Sequence, residues 1–164
     1  GTTLRGLMDN HNINPELFLN EVHKLDYSII KSDILMKKAL ENLKGRKIIF
    51  TNANKSHVDN VLNRLNINNL FNSVYDITDA NYFPKPDIRT YKSLVYKYNI
   101  DSTKTIMFDD IAKNLVPASK LGFTTVWIDI GKENYSDDIE NSRKYLNYET
   151  TNLPLWLNSI IKES

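Results

Sequence analysis

Three groups of polar residues carry the chemistry that this sequence could do. Each group lies at the end of a short apolar run or just before a predicted helix. In an open α/β sheet, such positions lie at the carboxyl ends of the strands, where ligands bind. The groups are Thr51 with Asn52, then Lys85, and finally Asp109 and Asp110 with Asn114.

Thr51 and Asn52 directly follow the apolar residues Ile48, Ile49 and Phe50. A threonine hydroxyl and exposed backbone N–H groups can together hold a phosphate oxygen. Threonine and asparagine are also common in turns and helix caps. Taken alone, this group is therefore better explained as a turn than as a phosphate site.

Lys85 stands between Pro84 and Pro86, so its backbone is restricted. A fixed ammonium is a compact point charge, which could neutralise a phosphate and a nearby carboxylate together. A lysine beside a proline is more commonly a solvated residue of a surface loop. The motif favours a binding role only in combination with the other two groups.

Asp109 and Asp110 end another apolar run, and Asn114 follows one helical turn later. Adjacent carboxylates repel each other unless a cation or solvent relieves the repulsion. Mg²⁺ prefers oxygen ligands and uses one or two carboxylates while keeping several waters. Capping of the next helix needs only one of the two aspartates. The pair therefore favours a magnesium site over a simple helix cap.

The elements that position these groups alternate between strand and helix from residue 47 onward. Short apolar strands are typical of parallel sheets that are covered on both faces. We predict an α/β fold with a doubly wound parallel sheet, with a polar, loop-rich stretch over 131–148. The predicted strands cover 47–51, 74–77, 105–109 and 124–128, and the predicted helices cover 56–65, 87–98, 112–121 and 153–161.

The first third of the chain has helical spacing of its apolar residues instead. Asn14 and Pro15 form a helix start, and Asp33 can cap a further helix that ends before Gly45. We therefore predict a helical cap domain over residues 1–44 and an α/β core domain over residues 45–164.

The composition excludes several classes of function. The chain has 164 residues, a formal net charge of +1 and no cysteine, which rules out disulfides and thiolate chemistry. His11, His23 and His57 are scattered without metal-ligand spacing. We expect a soluble cytoplasmic protein whose partner is a small molecule rather than a nucleic acid polymer or a membrane. The sequence does not indicate the oligomeric state.

The order of the three groups resembles motifs II, III and IV of the haloacid dehalogenase superfamily of hydrolases. The segments IIFTNA, PKPD and IMFDDIAKN are most similar to the pyrimidine 5′-nucleotidase branch, and GTTLRGLM resembles part of its helical cap. The resemblance implies a Mg²⁺-dependent phosphomonoester hydrolase with a Rossmann-like core. The implied substrate is a nucleoside 5′-monophosphate or another small phosphorylated metabolite, cleaved through an aspartyl-phosphate.

The resemblance also implies a role for each residue. Thr51 would hold the transferring phosphoryl oxygen beside the Asn52 backbone, and Lys85 would steady the phosphate and the nucleophile. Asp109 and Asp110 would hold Mg²⁺, with Asn114 in support. In the cap, Arg5 could grip a phosphate or a base, although a position along the cap surface is slightly favoured.

One motif of that family has no match in this sequence. The nucleophile of motif I ends an apolar strand as Asp-x-Asp-x-Thr, and no such segment occurs here. We expect a fragment whose first strand lies upstream, and we expect this chain alone to be inactive as a phosphatase. A catalytically silent binding or regulatory domain is one alternative. A dehalogenase is another alternative. Such an enzyme needs no metal, and the Asp109 and Asp110 pair therefore argues against it.

Overall fold

The protein is described from a computed structural model that covers residues 6, 8, 10, 11, 13–15, 18, 19, 25–131 and 136–162. The chain divides into two compact units. The first runs over Gly1–Pro84, to which Ser164 is assigned, and the second over Lys85–Glu163. Each unit contains its own parallel sheet, and each is described by itself.

The first unit contains a two-stranded parallel sheet. Strand β1 (Ile48–Phe50) pairs with β2 (Ser73–Tyr75), with Phe50 opposite Tyr75. Helix α1 (Ile34–Asn42) precedes β1, and helix α2 (Lys55–Leu65) connects the strands. Such a crossover through a helix is what a parallel pair requires. Single turns of 3-10 helix cover Tyr27–Ile29 and Asn68–Leu70.

Side-chain caps explain where the helices of the first unit begin. The Asp33 carboxylate accepts hydrogen bonds from the N–H groups of Leu35 and Met36, as the sequence predicted for the start of α1. Asn54 caps α2 by accepting from His57 N–H at 3.0 Å. Leu19 and Ile77 form a buried apolar cluster, against which Met8, Phe18 and Tyr82 pack.

The second unit contains a three-stranded parallel sheet in the order β3, β4, β5. The strands are β3 (Ile106–Asp109), β4 (Thr124–Ile128) and β5 (Tyr148–Thr150). Four helices accompany them in the described part of the unit. They are α3 (Ile88–Tyr98), α4 (Ala112–Lys120), α5 (Ser136–Ser142) and α6 (Leu153–Lys162).

Helix α4 packs on β3 and β4 and closes the core of the second unit. Leu115 and Ala118 of α4 and Val126 of β4 are completely buried. The helix ends before Gly122, whose φ of +93° is a left-handed conformation that glycine adopts without strain. The tight turn leads the chain directly into β4, which pairs with β3 in parallel.

The predicted α/β class with parallel strands and helices is confirmed. The predicted loop-rich stretch over 131–148 is wrong in part, because it contains α5, a 3-10 turn at Arg143–Tyr145 and the start of β5. Strand β5 lies at the edge of its sheet, and Tyr148 and Glu149 are exposed. An edge strand of this kind has no apolar run from which to predict it. The predicted cap and core, divided at residue 44, stay predictions.

No helix in the described part of the chain is long and apolar enough to cross a membrane.

Candidate functional site

Asp109 is the centre of the polar cluster in the second unit. It is the last residue of β3, and the residue is 7% exposed. Its Oδ2 accepts a hydrogen bond from Lys85 Nζ at 2.7 Å, and the two side chains are only 4% and 10% exposed. An ion pair so far removed from water is screened much less than a surface pair. The lysine of the Pro-Lys-Pro segment is therefore a buried counter-ion and not a solvated surface residue.

The other carboxylate oxygen of Asp109 is also occupied. Asp109 Oδ1 accepts from the Ile111 N–H at 2.9 Å and from Asn114 Nδ2 at 3.0 Å. Asn114 lies in the first turn of α4 and is 3% exposed. Three donors thus hold the Asp109 carboxylate in one orientation, and a buried charge requires such partners.

Asp110 differs from Asp109 in its exposure and in the bonding of its carboxylate. Its side chain is exposed, and no donor from the described residues bonds its carboxylate. Its backbone carbonyl is fixed, because Trp127 Nε1 donates to Asp110 O at 3.1 Å. The second unit therefore presents one unshielded carboxylate directly beside a buried ion pair.

Tyr91 of α3 supports the cluster from the protein interior. The completely buried Tyr91 hydroxyl donates to the backbone carbonyl of Asn114 at 2.6 Å. Burial, and to a lesser degree the charge of Asp109, raise the pKa of Tyr91 well above its ordinary value. Tyr91 is thus neutral and donates a hydrogen bond at any physiological pH.

In the first unit, Thr51 lies just past the end of β1. Its N–H donates to Tyr75 O at 3.0 Å, and Ile77 N–H donates to Ala53 O at 3.2 Å, so the ladder of the sheet continues into the loop. Thr51 Oγ1 accepts from Ala53 N–H at 3.0 Å. Because Oγ1 is the acceptor in this bond, the hydroxyl hydrogen can be donated to a ligand. Asn52 is half-buried in the same loop.

Asp76 is a buried carboxylate that the sequence analysis missed. It directly follows β2 and accepts from Lys55 N–H at 2.8 Å and from the N–H groups of Thr78 and Asp79 at 2.9 Å each. Asp76 thereby ties the start of α2 to the loop after β2. The signal in the sequence was its position after a strand, the same one that identified Asp109.

Asp109, Asp110 and Asn114 of the second unit carry oxygen donors of the kind that Mg²⁺ prefers. Within the described ranges, no group of three or more His, Asp or Glu side chains could enclose a metal ion. Mg²⁺ does not need such a group, because it commonly uses one or two carboxylates and completes its octahedron with water or phosphate oxygens. Asp110 fits the part of a single direct carboxylate ligand. Asn114 Nδ2 donates to Asp109 Oδ1, the metal roles predicted for these two residues stay predictions, and Arg5 lies outside the described residues.

The family assignment follows from comparison with known proteins. The model of the haloacid dehalogenase-like hydrolases matches residues 7–128 of the chain, which is well over half of it. The chain belongs to the haloacid dehalogenase-like hydrolase family. The matched range contains every residue that the sequence analysis assigned to phosphate or metal binding, apart from Arg5. No curated protein sequence matches the chain significantly.

Solved structures of haloacid dehalogenase-like proteins have the same fold at low sequence identity. A dehalogenase with an intermediate complex has a TM-score of 0.66 and 19% identity, with 98% of this chain and 68% of that chain covered. A hydrolase from Deinococcus radiodurans R1 has a TM-score of 0.65 and 13% identity, with coverage of 98% and 73%. The L-2-haloacid dehalogenase from Xanthobacter autotrophicus has a TM-score of 0.59 and 11% identity, with coverage of 75% and 58%.

Proposed function

We propose that this hydrolase acts in Mg²⁺-dependent cleavage of phosphomonoesters. The observation that carries the proposal is the buried pair of Lys85 and Asp109 next to the exposed Asp110. A phosphate and a hard cation are the ligands whose charges suit an ammonium and a free carboxylate. The Deinococcus radiodurans hydrolase, which has the same fold, was solved with bound phosphate and sodium.

Four polar residues of the second unit have separate roles in this proposal. Lys85 supplies positive charge for the phosphoryl oxygens, and Asp109 fixes the position of its ammonium. Asp110 would hold Mg²⁺, and Asn114 would act through Asp109, to which it donates. When bound, Mg²⁺ stabilises the negative charge on the transferring phosphoryl group. Charges that are fixed before reaction contribute most to catalysis, because they need no reorganisation.

In the first unit, Thr51 and Asn52 are assigned to binding of phosphate oxygens. The Thr51 hydroxyl has its oxygen engaged by Ala53 N–H, which aligns the hydroxyl for donation. The loop itself is held by hydrogen bonds to the chain at Tyr75 and Ile77. A rigid donor is better for binding than a mobile one, because less conformational entropy is lost.

The proposal requires a nucleophilic aspartate that this sequence does not contain, since it has no Asp-x-Asp-x-Thr segment. Among the described strands, β1 and β3 each pair with a neighbour on one side only. The free edge of either strand could therefore accept a further parallel strand. Such a strand, ending in the nucleophile, would complete the phosphoryl-transfer chemistry, and this chain alone would bind without hydrolysing.

The substrate proposed is a small phosphorylated metabolite, with nucleoside 5′-monophosphates as the first class to examine. This choice rests on the resemblance of IIFTNA, PKPD and IMFDDIAKN to the pyrimidine 5′-nucleotidase branch. The same proposal includes a helical cap over residues 1–44, with Arg5 as a substrate contact. It also includes a cytoplasmic location.

A dehalogenase is the second candidate, because several proteins of the same fold are L-2-haloacid dehalogenases. Dehalogenation needs no metal, so it would not use the exposed Asp110 beside the buried ion pair as a metal ligand. A silent binding domain is the third candidate, and the absent nucleophile is its support. The three differ in whether phosphate is released and in whether EDTA prevents the release.

The test begins with the coding sequence upstream of residue 1 in the same reading frame. A strand that ends in Asp-x-Asp-x-Thr is expected there, and its absence would argue for the silent domain. The protein that includes this strand should release phosphate from a panel of nucleoside 5′-monophosphates with Mg²⁺ and not with EDTA. Lys85→Ala and Asp110→Asn should each lower kcat by roughly 10²-fold or more. Chloride release from 2-haloacids, unaffected by EDTA, would favour the dehalogenase.

A further inference from the structure

We infer that Trp127 is a positioning residue that aims the Asp110 carboxylate at a divalent cation by fixing the peptide group between Asp110 and Ile111. The inference rests on the proposed assignment of Asp110 as a Mg²⁺ ligand. It adds a residue from β4 that acts on the metal without touching it.

Both polar groups of the peptide unit that joins Asp110 to Ile111 are bonded to side chains. Its carbonyl oxygen accepts from Trp127 Nε1 at 3.1 Å. Its N–H donates to Asp109 Oδ1 at 2.9 Å. A peptide unit is planar, so two bonds on opposite sides fix its orientation. The backbone that carries the Asp110 side chain therefore cannot turn without losing at least one of them.

The donor itself is rigid. Trp127 is on β4, directly opposite Asp109 of β3 in the parallel register, and it is only 6% exposed. Its neighbour Val126 is completely buried in the same strand. An indole packed in this way has a single donor and few accessible rotamers. The position of its N–H is thus set by the sheet and not by the loop that it holds.

Fixing this peptide matters because Asp110 receives no other support from the described residues. The Asp110 side chain is exposed, and only its backbone is bonded. A ligand side chain that is already oriented loses less entropy when it binds a cation. Partners that orient metal ligands are commonly worth 10- to 100-fold in metal affinity, and an indirect contact to the backbone should be worth somewhat less.

Two substitutions distinguish the loss of the Trp127 N–H donor from the loss of its side-chain volume. Trp127→Phe keeps an aromatic ring in the core and removes the N–H. Trp127→His removes the six-membered ring, but the imidazole Nε2 is two bonds from Cγ, as is Nε1 in tryptophan. Near pH 8 the imidazole is neutral if its pKa is ordinary, so its Nε2–H can donate. Trp156 contacts Phe108 and Tyr148 in the same unit, and its indole N–H has no hydrogen bond to a described residue, so Trp156→Phe is the matched control.

The measurement is the Kd for Mg²⁺ by titration calorimetry near pH 8, together with the Tm of each variant. Trp127→Phe should bind Mg²⁺ about 2- to 10-fold more weakly, which corresponds to one hydrogen bond. Trp127→His should bind nearly as wild type despite its lower Tm, because its core is less filled. Trp156→Phe should leave the Kd unchanged.

Four results would overturn the inference. If Trp127→Phe binds Mg²⁺ as wild type does, the indole has no positioning role. If affinity follows Tm, so that the histidine variant is the weaker binder, the role of Trp127 is structural only. If wild type and Asp110→Asn both show no binding, the metal assignment itself fails, and the inference fails with it. A loss in Asp110→Asn without one in Trp127→Phe would contradict the inference alone.

Discussion

Asp76 and Asp109 occupy equivalent places in the two units and are stabilised in opposite ways. Each follows or ends a parallel strand, each is 7% exposed, and each accepts hydrogen bonds from three donors. All three donors to Asp76 are backbone N–H groups. Asp109 instead receives the Lys85 ammonium and the Asn114 amide together with one backbone N–H. Among the described residues, the bonds to Asp76 come from uncharged groups, whereas Asp109 is paired with an ammonium.

The residues that follow Asp76 and Asp109 also differ in their exposure. Ile77, after Asp76, is 1% exposed and packs in the apolar core. Asp110, after Asp109, is exposed to solvent. Asp76 therefore organises a loop, while Asp109 and Lys85 form a buried ion pair beside an exposed carboxylate. Asp76 is thus a buried carboxylate that stabilises local structure, whereas Asp109 belongs to the site that we propose for phosphate and Mg²⁺.

The largest expected effect follows from breaking the buried ion pair. Asp109→Ala removes the carboxylate that pairs with the Lys85 ammonium in the interior, so the free energy of unfolding should fall by about 3–5 kcal/mol. Urea unfolding followed by circular dichroism measures this change. The double variant Lys85→Met with Asp109→Leu should be much less destabilised than Asp109→Ala, because it leaves no charge behind. A loss below about 1 kcal/mol for Asp109→Ala would contradict the stabilising role assigned to the pair.

Asp76→Ala should cost less, at about 1–3 kcal/mol, because it leaves three N–H groups unbonded and no opposing charge. Asp76→Asn is a more specific variant, because it keeps the size of the side chain and replaces one acceptor oxygen by an NH₂ group. An amide can present its oxygen to only one side, so it must face at least one N–H with its own NH₂ group. The same urea titration applies. A cost as large as that of Asp109→Ala would contradict the distinction between the two carboxylates.

Tyr91→Phe should lower the free energy of unfolding by about 1 kcal/mol, through the lost bond to Asn114 O. Burial raises the pKa of Tyr91, so its stabilisation is intact below the ordinary value of 10.0 and is lost as pH rises above it. The phenylalanine variant has no such loss. The difference in stability between wild type and Tyr91→Phe should therefore narrow above about pH 10, and a constant difference would exclude this linkage.

The sequence predicted those parts of the fold that have a local signal. The apolar residues of β1, β3 and β4 and the capping Asp33 were sufficient to place the elements. The role of Asp76 was not predictable, because its three partners depend on how two loops meet. Trp127 was missed for a related reason, since its bond to Asp110 O depends on the register of β3 and β4. Strand β5 lacks an apolar run because it lies at the edge of the sheet.

The most direct test of the account is Mg²⁺ titration of wild type and Asp110→Asn, with the stability of both measured in parallel. The exposed Asp110 should contribute less than about 0.5 kcal/mol to the free energy of unfolding, as is usual for surface positions. Its loss should weaken Mg²⁺ binding by roughly tenfold or more, because the direct carboxylate ligand is removed. Equal Mg²⁺ affinity in the two proteins would contradict the assignment of Asp110 and, with it, the proposed phosphoryl-transfer site.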